Sequence, residues 1–449
     1  MPGSAIPPQT LAPPRADGPR AEISALDQDG RGIARVDGKV VFVDGALPGE
    51  LVEYQRWRRK PAFDLANLTR VLRESSSRVV PRCPHYERCG GCSLQHLNPR
   101  AQVAIKQRVL EDNLARIGKV EPDALLAPIH GPAWGYRHRA RLSVRQVSSK
   151  GGALVGFRER RAPLVVDMDS CEVLPPRMSA LIRPLRELIS SLTLDNRIPQ
   201  IEVAIGEEGE VLTVRVLDQP AESDLVSLRE FSMRHGVDIR LQPGGPDTTY
   251  PLDSATVRQL IYRLPEFDLA FHFEPTDFTQ VNFAVNRVLV RRALALLEPK
   301  PGERIADMFC GIGNFSLAIA RSGAEVIGVE GSADLVARAA QNASANGLSE
   351  RTHFIAGDLF HDAAKLLAQV GPVHRMLIDP PRDGAQTLVH ALGEVLPQRI
   401  VYVSCHAATL ARDAGILVHN KGYRLLAAGV ANMFPHTSHV ESVAVFERQ

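Results

Sequence analysis

The sequence lacks the features that would place it in a membrane or in a disulfide-bonded class. Its 449 residues include no apolar run of membrane-spanning length, and only six of them are cysteines. Six prolines among the first twenty residues interrupt any apolar core of a signal peptide, so we expect a disordered tail over residues 1–20. Without an export signal, we expect a cytoplasmic protein whose cysteines stay reduced.

Net charge is also small, at +2, but the charge is unevenly distributed. Residues 51–100 contain ten Lys and Arg against four Asp and Glu, and residues 131–161 contain eight against one. The rest of the chain is correspondingly acidic. A basic region beside an acidic one is typical of a polyanion-binding part joined to a separate working domain, although a solvated charged face is the alternative.

A chain of this length exceeds one ordinary core, so two or three domains are expected. Residues 21–79 alternate apolar and polar side chains, and Asp-Gly pairs at positions 37–38 and 44–45 indicate hairpins. Short strands of this kind predict a small closed barrel of the OB type.

The barrel has an expected nucleic-acid face of aromatic and basic residues, namely Tyr54, Arg56, Trp57, Arg58, Arg59 and Lys60. Rings on this face could stack on bases while the cations neutralise phosphates. Packing of Tyr54 and Trp57 inside the barrel is the alternative.

Half of the cysteines lie within ten positions, in the stretch CPHYERCGGC from residue 83 to residue 92. A fourth lies in a later segment of strand-like patterns and completes the set Cys83, Cys89, Cys92 and Cys171. Four thiolates suit zinc or an iron–sulfur cluster. The three-plus-one spacing and the flexible Gly90-Gly91 pair favour a [4Fe–4S] cluster with a structural or RNA-positioning role. Zinc and ordinary buried cysteines are the alternatives.

The C-terminal part, from residue 277, alternates strand-like apolar runs with helical patterns. This alternation predicts an α/β sheet of mostly parallel strands, in which ligands bind at the carboxyl ends of the strands. Upstream, apolar residues at near-helical spacing predict an amphipathic helix over residues 102–117.

The stretch DMFCGIGNFS, residues 307–316, predicts a strand end followed by a glycine-rich loop that opens a helix. Glu330 ends the next strand, nineteen residues beyond Gly311, where a carboxylate can bind ribose hydroxyls. A full Gly-x-Gly-x-x-Gly pattern is missing, which favours S-adenosylmethionine over NAD. Asp358 follows a third strand, where it could meet an adenine.

Two further strand ends have the side chains of a reactive site. The stretch LIDPPRDG must turn at its prolines, which holds Asp379 at the edge of the sheet. The stretch IVYVSC places Cys405 at another strand end as a candidate nucleophile, with a buried core thiol as the alternative. Cys310, inside the glycine-rich loop, is interpreted as lining the pocket.

These motifs resemble the uracil-C5 RNA methyltransferase family. The resemblance extends from about residue 20 to the end and rests on CPHYERCGGCSLQHL, FTQVNFAVN, DMFCGIGNFS, DPPRDG, VSC followed by TLARD, and MFPHTSHVES. The barrel resembles a TRAM domain. The family's transfer-RNA branch usually lacks both barrel and cluster, and a second ribosomal branch lacks the barrel. The combination therefore indicates a 23S ribosomal RNA enzyme or a dual-site relative of the same layout.

The resemblance implies a role for each candidate residue. The S-adenosylmethionine site would consist of Gln280, Phe309, Asn314, Glu330, Asp358 and Asp379. Cys405 matches the nucleophile and Glu441 the base, although from the residues alone Glu441 is interpreted as a surface carboxylate. The family usually has Ser-Cys-Asn-Pro where this chain has His and Ala after Cys405, which puts the rigidity of that loop in doubt. His436 and His439 are interpreted as structural or RNA-contacting.

The implied reaction is methylation of uridine 1939 of 23S ribosomal RNA, in a single-stranded or loop region, by a monomer that binds neither membrane nor DNA. Uracil C5 is a weak nucleophile, so a thiolate first adds to C6, C5 then takes the methyl group, and a base removes the C5 proton. A tRNA uridine-C5 enzyme, a cytosine-C5 enzyme, an amino-group methyltransferase and a non-catalytic iron–sulfur RNA-binding protein are the alternatives.

This interpretation predicts a multidomain α/β protein. Residues 21–79 would form the TRAM barrel, residues 80–101 and 134–276 a central α+β domain with the iron–sulfur site, and residues 102–133 and 277–449 a Rossmann-like, S-adenosylmethionine-dependent methyltransferase domain.

Overall fold

The structure is a computed structural model and describes residues 18–194, 196–254, 257–393 and 396–449. The chain divides into two compact units, Met1–Val79 and Val80–Gln449. Of the predicted tail, residues 1–17 lie outside the described residues, and Arg20 begins the first strand. In the described ranges, no helix has both the length and the apolar character that a membrane span requires.

The first unit contains one sheet of six strands in the order β1-β5-β6-β4-β3-β2. These strands are β1 (Arg20–Glu22), β2 (Ala25–Leu26), β3 (Gly32–Val36), β4 (Lys39–Asp44), β5 (Leu51–Arg59) and β6 (Phe63–Arg73). Strands β3 and β4 form an antiparallel hairpin around Asp37 and Gly38, as the sequence predicts. The side chains of Ala34, Val41, Val43 and Val52 are buried in its core.

The expected nucleic-acid face of this unit is smaller than predicted. Tyr54 is 1% exposed and packs in the core, so the prediction that its ring stacks on bases is wrong. Arg56 forms an ion pair with Asp64 at 3.0 Å and donates a hydrogen bond to the Tyr54 hydroxyl at 2.8 Å. Trp57 is 49% exposed, and the three basic residues that follow it are exposed as well.

The second unit contains three sheets among its described residues. A six-stranded sheet has the order β13-β12-β11-β10-β8-β9, a two-stranded sheet pairs β14 with β15, and an eight-stranded sheet has the order β18-β17-β16-β19-β20-β22-β21-β7. Their bounds are β7 (Ala124–Leu125), β8 (Arg139–Val147), β9 (Gly152–Gly156), β10 (Gln200–Ile205), β11 (Glu210–Arg215), β12 (Asp238–Gln242), β13 (Tyr250–Pro251), β14 (Leu260–Leu264), β15 (Leu269–Phe273), β16 (Arg304–Met308), β17 (Glu325–Glu330), β18 (Thr352–Ala356), β19 (Arg375–Ile378), β20 (Arg399–Ser404), β21 (Tyr423–Ala431) and β22 (Glu441–Arg448).

The described helices of this unit surround the sheets. They are α1 (Pro99–Asn113), α2 (Pro176–Ser179), α3 (Ile182–Ser191), α4 (Glu222–His235), α5 (Phe283–Leu297), α6 (Ser316–Ala320), α7 (Ala333–Ala345), α8 (Ala363–Val370), α9 (Gln386–Ala391) and α10 (Ala407–Lys421). Helix α1 and the π-helical turn that follows it, Leu114–Gly118, confirm the helix predicted over residues 102–117. Asn98 caps the start of α1 by accepting a hydrogen bond from the Arg100 N–H at 2.9 Å.

The eight-stranded sheet positions the candidate site. Strands β16 to β20 are parallel, and chain order reverses between β16 and β19, where ligands bind in sheets of this type. Strand β22 then inserts antiparallel between β20 and β21. The predicted α/β sheet of mostly parallel strands is therefore confirmed, while the predicted domain boundaries within residues 80–449 stay predictions.

A buried ion pair allows a stability test of the first unit. Glu50 is fully buried; burial opposes its ionisation, but Arg78 at 2.5 Å and the N–H groups of Leu47 and Ser75 outweigh burial and lower its pKa. We expect E50Q to lower the free energy of unfolding by about 3 kcal/mol, because Arg78 loses its buried partner. The loss should shrink as the pH falls through the lowered pKa of Glu50, where its carboxylate is protonated in the wild type too.

The measurement is urea unfolding of the full chain, followed by hydrogen exchange in residues 18–79. The control is E22Q, because Glu22 pairs with Arg73 on the surface, where both side chains are at least 60% exposed. Equal stabilities of the two variants would contradict the assignment of a stabilising role to Glu50.

Candidate active site

A cavity of about 610 Å³ opens at the carboxyl ends of the parallel strands of the eight-stranded sheet. All eight residues that the resemblance assigns to cofactor binding or catalysis line it: Gln280, Phe309, Asn314, Glu330, Asp358, Asp379, Cys405 and Glu441. Cys310 lines it too, as the sequence predicts. The structure thus brings the candidates together, while their individual roles stay predictions.

The glycine-rich loop after β16 forms one wall of the cavity. Phe309 and Gly311 have φ angles of 66° and 55°, a left-handed backbone that costs energy at a residue such as Phe309. The Gly311 N–H donates to the Glu330 carboxylate at 3.0 Å, and the Ser332 N–H donates to its other oxygen at 3.2 Å. The loop and the end of β17 therefore fix the orientation of the Glu330 carboxylate.

Asn314 and Asp358 occupy different environments in this cavity. The Asn314 amide oxygen accepts hydrogen bonds from the Tyr262 hydroxyl at 3.0 Å and the Asn286 amide at 2.9 Å. Asp358 lies at the rim with its side chain half exposed, where a hydrogen bond from His361 lowers the pKa of its carboxyl group. Hydrogen bonds therefore hold the Asn314 side chain in the cavity wall, whereas the Asp358 side chain faces solvent.

Acidic side chains concentrate around the floor of the cavity. Burial raises the pKa of Asp307 to about 7, and burial together with the charge of Glu330 raises the pKa of Asp379 to about 7. Burial, followed by the charge of Asp379, raises the pKa of Glu441 well above its ordinary value. Such a group of acids favours a ligand with positive charge.

The pairing of β20 with β22 brings Cys405 and Glu441 to the same place. Ser404 and Ser442 are antiparallel partners, and the next residue toward the cavity is Cys405 on one strand and Glu441 on the other. Glu441 is 3% exposed, so its interpretation as a surface carboxylate is wrong. Burial and the charges of Glu441 and Asp379 raise the pKa of the Cys405 thiol to about 12.

The loop between β21 and β22 contains both candidate histidines. His436 is 1% exposed, and its ring stacks on Trp134 with 3.8 Å between the ring centres, so it has a structural position. His439 lines the cavity, and its Nδ1 accepts a hydrogen bond from Arg382 at 3.1 Å. No group of three or more His, Cys, Asp or Glu side chains in the described ranges is arranged to hold a metal ion.

Sequence reasoning missed two buried polar residues next to this loop, Gln102 and Lys106. Both lie on α1 and contact residues between Asn432 and His436. A buried lysine on the apolar face of an amphipathic helix is the one signal that could have indicated them, because such a charge needs a partner.

The four cysteines of the predicted metal site are buried and line a second cavity, of about 20 Å³. Burial raises the pKa of all four thiols, to about 12 for Cys92 and about 11 for Cys171. A side chain at Gly90 would place its Cβ 3.1 Å from the Arg158 carbonyl oxygen, so any larger residue would need that backbone to move by a few tenths of an ångström.

The fold and the cavity define a methyltransferase of the Rossmann-like class. The family described as tRNA (uracil-5-)-methyltransferase matches residues 101–449, and the TRAM domain of tRNA (uracil(54)-C(5))-methyltransferase matches residues 19–77. The chain therefore belongs to the RNA uracil-C5 methyltransferase family, and the expected enzyme class and TRAM domain are confirmed.

Two relatives are similar over nearly the whole chain. A protein of Nitrosospira multiformis is 56% identical over 95% of this chain and 98% of its own length, and one of Azoarcus sp. is 58% identical over 96% and 100%. Both are named 23S rRNA (uracil(1939)-C(5))-methyltransferase RlmD. A solved structure, Pyrococcus abyssi tRNA (uracil-54, C5)-methyltransferase in complex with S-adenosyl-L-homocysteine, is 26% identical, with a TM-score of 0.71 over 95% of this chain and all of that one.

The raised pKa of Cys405 predicts slow alkylation in the absence of ligands. Because only the thiolate reacts, the rate should rise about tenfold per pH unit from pH 7 to pH 10 without a plateau. The measurement is iodoacetamide labelling of the Cys405 peptide, followed by mass spectrometry, with an unstructured cysteine peptide as the control. A plateau below pH 9 would show that the thiol ionises more easily than its burial implies.

Proposed function

We propose that the protein transfers a methyl group from S-adenosylmethionine to C5 of uridine 1939 in 23S ribosomal RNA. The observation that supports this most directly is the position of Cys405 beside Glu441 at the floor of the cavity. A nucleophile and a proton acceptor at adjacent strand ends are the two groups that methylation of uracil C5 needs.

The choice of RNA rests on the relatives. Proteins 56% and 58% identical to this chain are named for uridine 1939 of 23S rRNA, whereas the solved tRNA enzyme is 26% identical. A tRNA uridine, or a second rRNA uridine, is the alternative substrate, because the matching family descriptions name tRNA. Mapping 5-methyluridine in 23S rRNA and in tRNA from a deletion strain tests the choice.

We also propose that the enzyme acts in the cytoplasm as a monomer, on a single-stranded or loop region.

In the proposed reaction two protons are transferred, and a bond between the Cys405 sulfur and C6 forms and later breaks. The Cys405 thiol passes its proton to water and its sulfur bonds to C6, which opens the double bond between C5 and C6 and places its electrons on C5. After C5 is methylated, the Glu441 carboxylate takes the C5 proton, the double bond between C5 and C6 forms again, and the thiolate leaves. The high pKa of Glu441 makes it a strong base once it is ionised.

The residues of the cavity fit the proposed cofactor. The Glu330 carboxylate, fixed by two backbone N–H groups, would bind ribose hydroxyls, and Asp358 at the rim would meet the adenine. Gln280, Phe309, Asn314 and Asp379 would form the rest of the site. When bound, S-adenosylmethionine supplies the methyl group from a positively charged sulfonium, which suits a cavity with several buried acids.

We further propose that the four buried cysteines hold a [4Fe–4S] cluster with a structural role. Four free thiols around one cavity are a suitable donor set. In such a cluster each thiolate binds a different iron, so the sulfurs need not converge on one point as they would for zinc. A cavity of about 20 Å³ is the size of a single water site, so the thiols would have to move apart around the cluster.

Replacement of the nucleophile gives the sharpest test of the reaction. We expect C405A to bind the RNA normally and to form 5-methyluridine at a rate lower by about 10⁴-fold or more, because no other group can activate C5. Nucleoside analysis by mass spectrometry measures the product. The control is C310A, which removes the other thiol of the cavity and should still form a covalent adduct with 5-fluorouridine RNA. An adduct on C405A, or on a different side chain, would overturn the assignment.

Metal analysis tests the proposed cluster. Protein purified without oxygen should be brown and contain about four iron and four sulfide per chain, and C171S should lose most of both. C310S serves as the control, because Cys310 lies in the other cavity. A colourless, active preparation with one zinc per chain would rule out the cluster.

A further inference from the structure

Lys106 and Gln102 form a buried polar pair on α1. They are 1% and 0% exposed, and they lie one helical turn apart on the same face. Neither lines the active-site cavity described above, and neither has a role in the proposed reaction. Buried lysines are rare unless another group compensates the charge, so this position needs an explanation.

Both side chains bind the loop that leads from β21 to Glu441. The Lys106 ammonium donates to the Asn432 side-chain oxygen at 2.7 Å and to the Phe434 carbonyl oxygen at 2.9 Å. The Gln102 oxygen accepts from the His436 N–H at 2.8 Å, and its amide nitrogen lies 3.1 Å from His436 Nδ1. Helix α1 therefore fixes the first half of this loop.

The hydrogen bonds of Lys106 do not neutralise its positive charge. Both of its acceptors are neutral oxygens, and within the described ranges no carboxylate lies within ion-pair distance of it. Burial lowers its pKa to about 7, and the nearby charge of Glu441 opposes this shift. The effect is mutual. Burial and the charge of Asp379 raise the pKa of Glu441, and the charge of Lys106 opposes that rise.

The other groups near Glu441 cannot replace this cation. Asp379 and the Cys405 thiol would add negative charge. Burial lowers the pKa values of His436 and His439 to about 4, so both rings are neutral at working pH. Arg382 is exposed and directs its guanidinium to His439. In the described part of the chain, Lys106 is thus the buried cation whose charge acts on Glu441, and it is bonded to the loop that leads to Glu441.

We propose that Lys106 is a positioning residue for the base: its charge shifts Glu441 toward the ionised form that removes the C5 proton, and its hydrogen bonds, with those of Gln102, hold the loop in place. This inference rests on the proposed function. The step it supports transfers the C5 proton to the Glu441 carboxylate. The electrons of the C5–H bond form the double bond to C6, and the electrons of the C6–S bond return to the Cys405 sulfur.

The test separates proton removal from the earlier steps. Release of tritium from RNA labelled at uridine C5 reports proton removal, whereas adduct formation with 5-fluorouridine RNA stops before it. K106Q removes the charge and keeps a polar N–H donor, on a side chain that is one bond shorter. We expect K106Q to form the adduct at the wild-type rate and to release tritium about tenfold more slowly near neutral pH.

The pH dependence gives a second readout. Without the cation, the pKa of Glu441 is higher, so the tritium-release profile of K106Q should move to higher pH. The difference from wild type should disappear in alkali, where Lys106 itself loses its proton. K106R keeps the charge and should keep the wild-type profile. R108Q is the matched control, because the Arg108 side chain on the same helix is 70% exposed.

The outcomes distinguish this inference from the proposed function. Tritium release at the wild-type rate with an unshifted pH profile in K106Q would overturn the role of Lys106 and leave the proposed function intact. Equal losses of adduct formation and tritium release would also overturn it, because they would indicate a merely structural residue. If K106Q does not fold, K106R decides, because a shifted profile with the charge retained contradicts the inference. Failure of the wild-type protein to release tritium from uridine would instead refute the proposed function.

Discussion

The active site depends on the antiparallel pairing of β20 with β22, which follows the run of parallel strands β18 to β20 in the same sheet. A parallel neighbour of β20 would start at the opposite edge of the sheet, far from Cys405. Because β22 runs the other way, its first residue, Glu441, lies beside Cys405, the residue that follows β20, and the register of the two strands sets the separation of the two side chains. Strand β22, which lies between β20 and β21, thereby supplies the base, and its pairing with β20 positions the backbone of both residues.

The loop that precedes β22 is held from several directions. Lys106 and Gln102 bind it from α1, and the segment that follows Cys92 binds it as well. The N–H groups of Ser93 and Leu94 both donate to the His436 carbonyl oxygen at 2.9 Å. The four-cysteine region is therefore bonded directly to the loop that ends at Glu441. This connection would give the proposed cluster a structural role, since order around the cysteines would also order the loop that leads to the base.

Local patterns in the sequence were enough to predict the strand ends, the glycine-rich loop and helix α1, because each depends on residues within one element. The burial of Tyr54 and Glu441 was not predictable in this way. Tyr54 faces inward only because of its register in β5, and Glu441 is buried only because β22 inserts beside β20. Lys106 was missed for the same reason, since its hydrogen-bond acceptors lie more than three hundred residues away in the chain.

Burial raises the pKa values of the reactive groups in the cavity and thereby favours their unreactive, protonated forms. With a pKa of about 12, Cys405 is a thiol at neutral pH, and burial favours the neutral form of Glu441 as well. A thiol resists alkylation and oxidation far better than a thiolate, so Cys405 is protected from both reactions while it is protonated. A positively charged ligand in the cavity would stabilise every nearby anion and lower the pKa values of Asp379 and Cys405 together. The acids that raise the pKa of Cys405 are therefore the same groups whose charge a cationic ligand would offset, so a positively charged methyl donor would favour the thiolate.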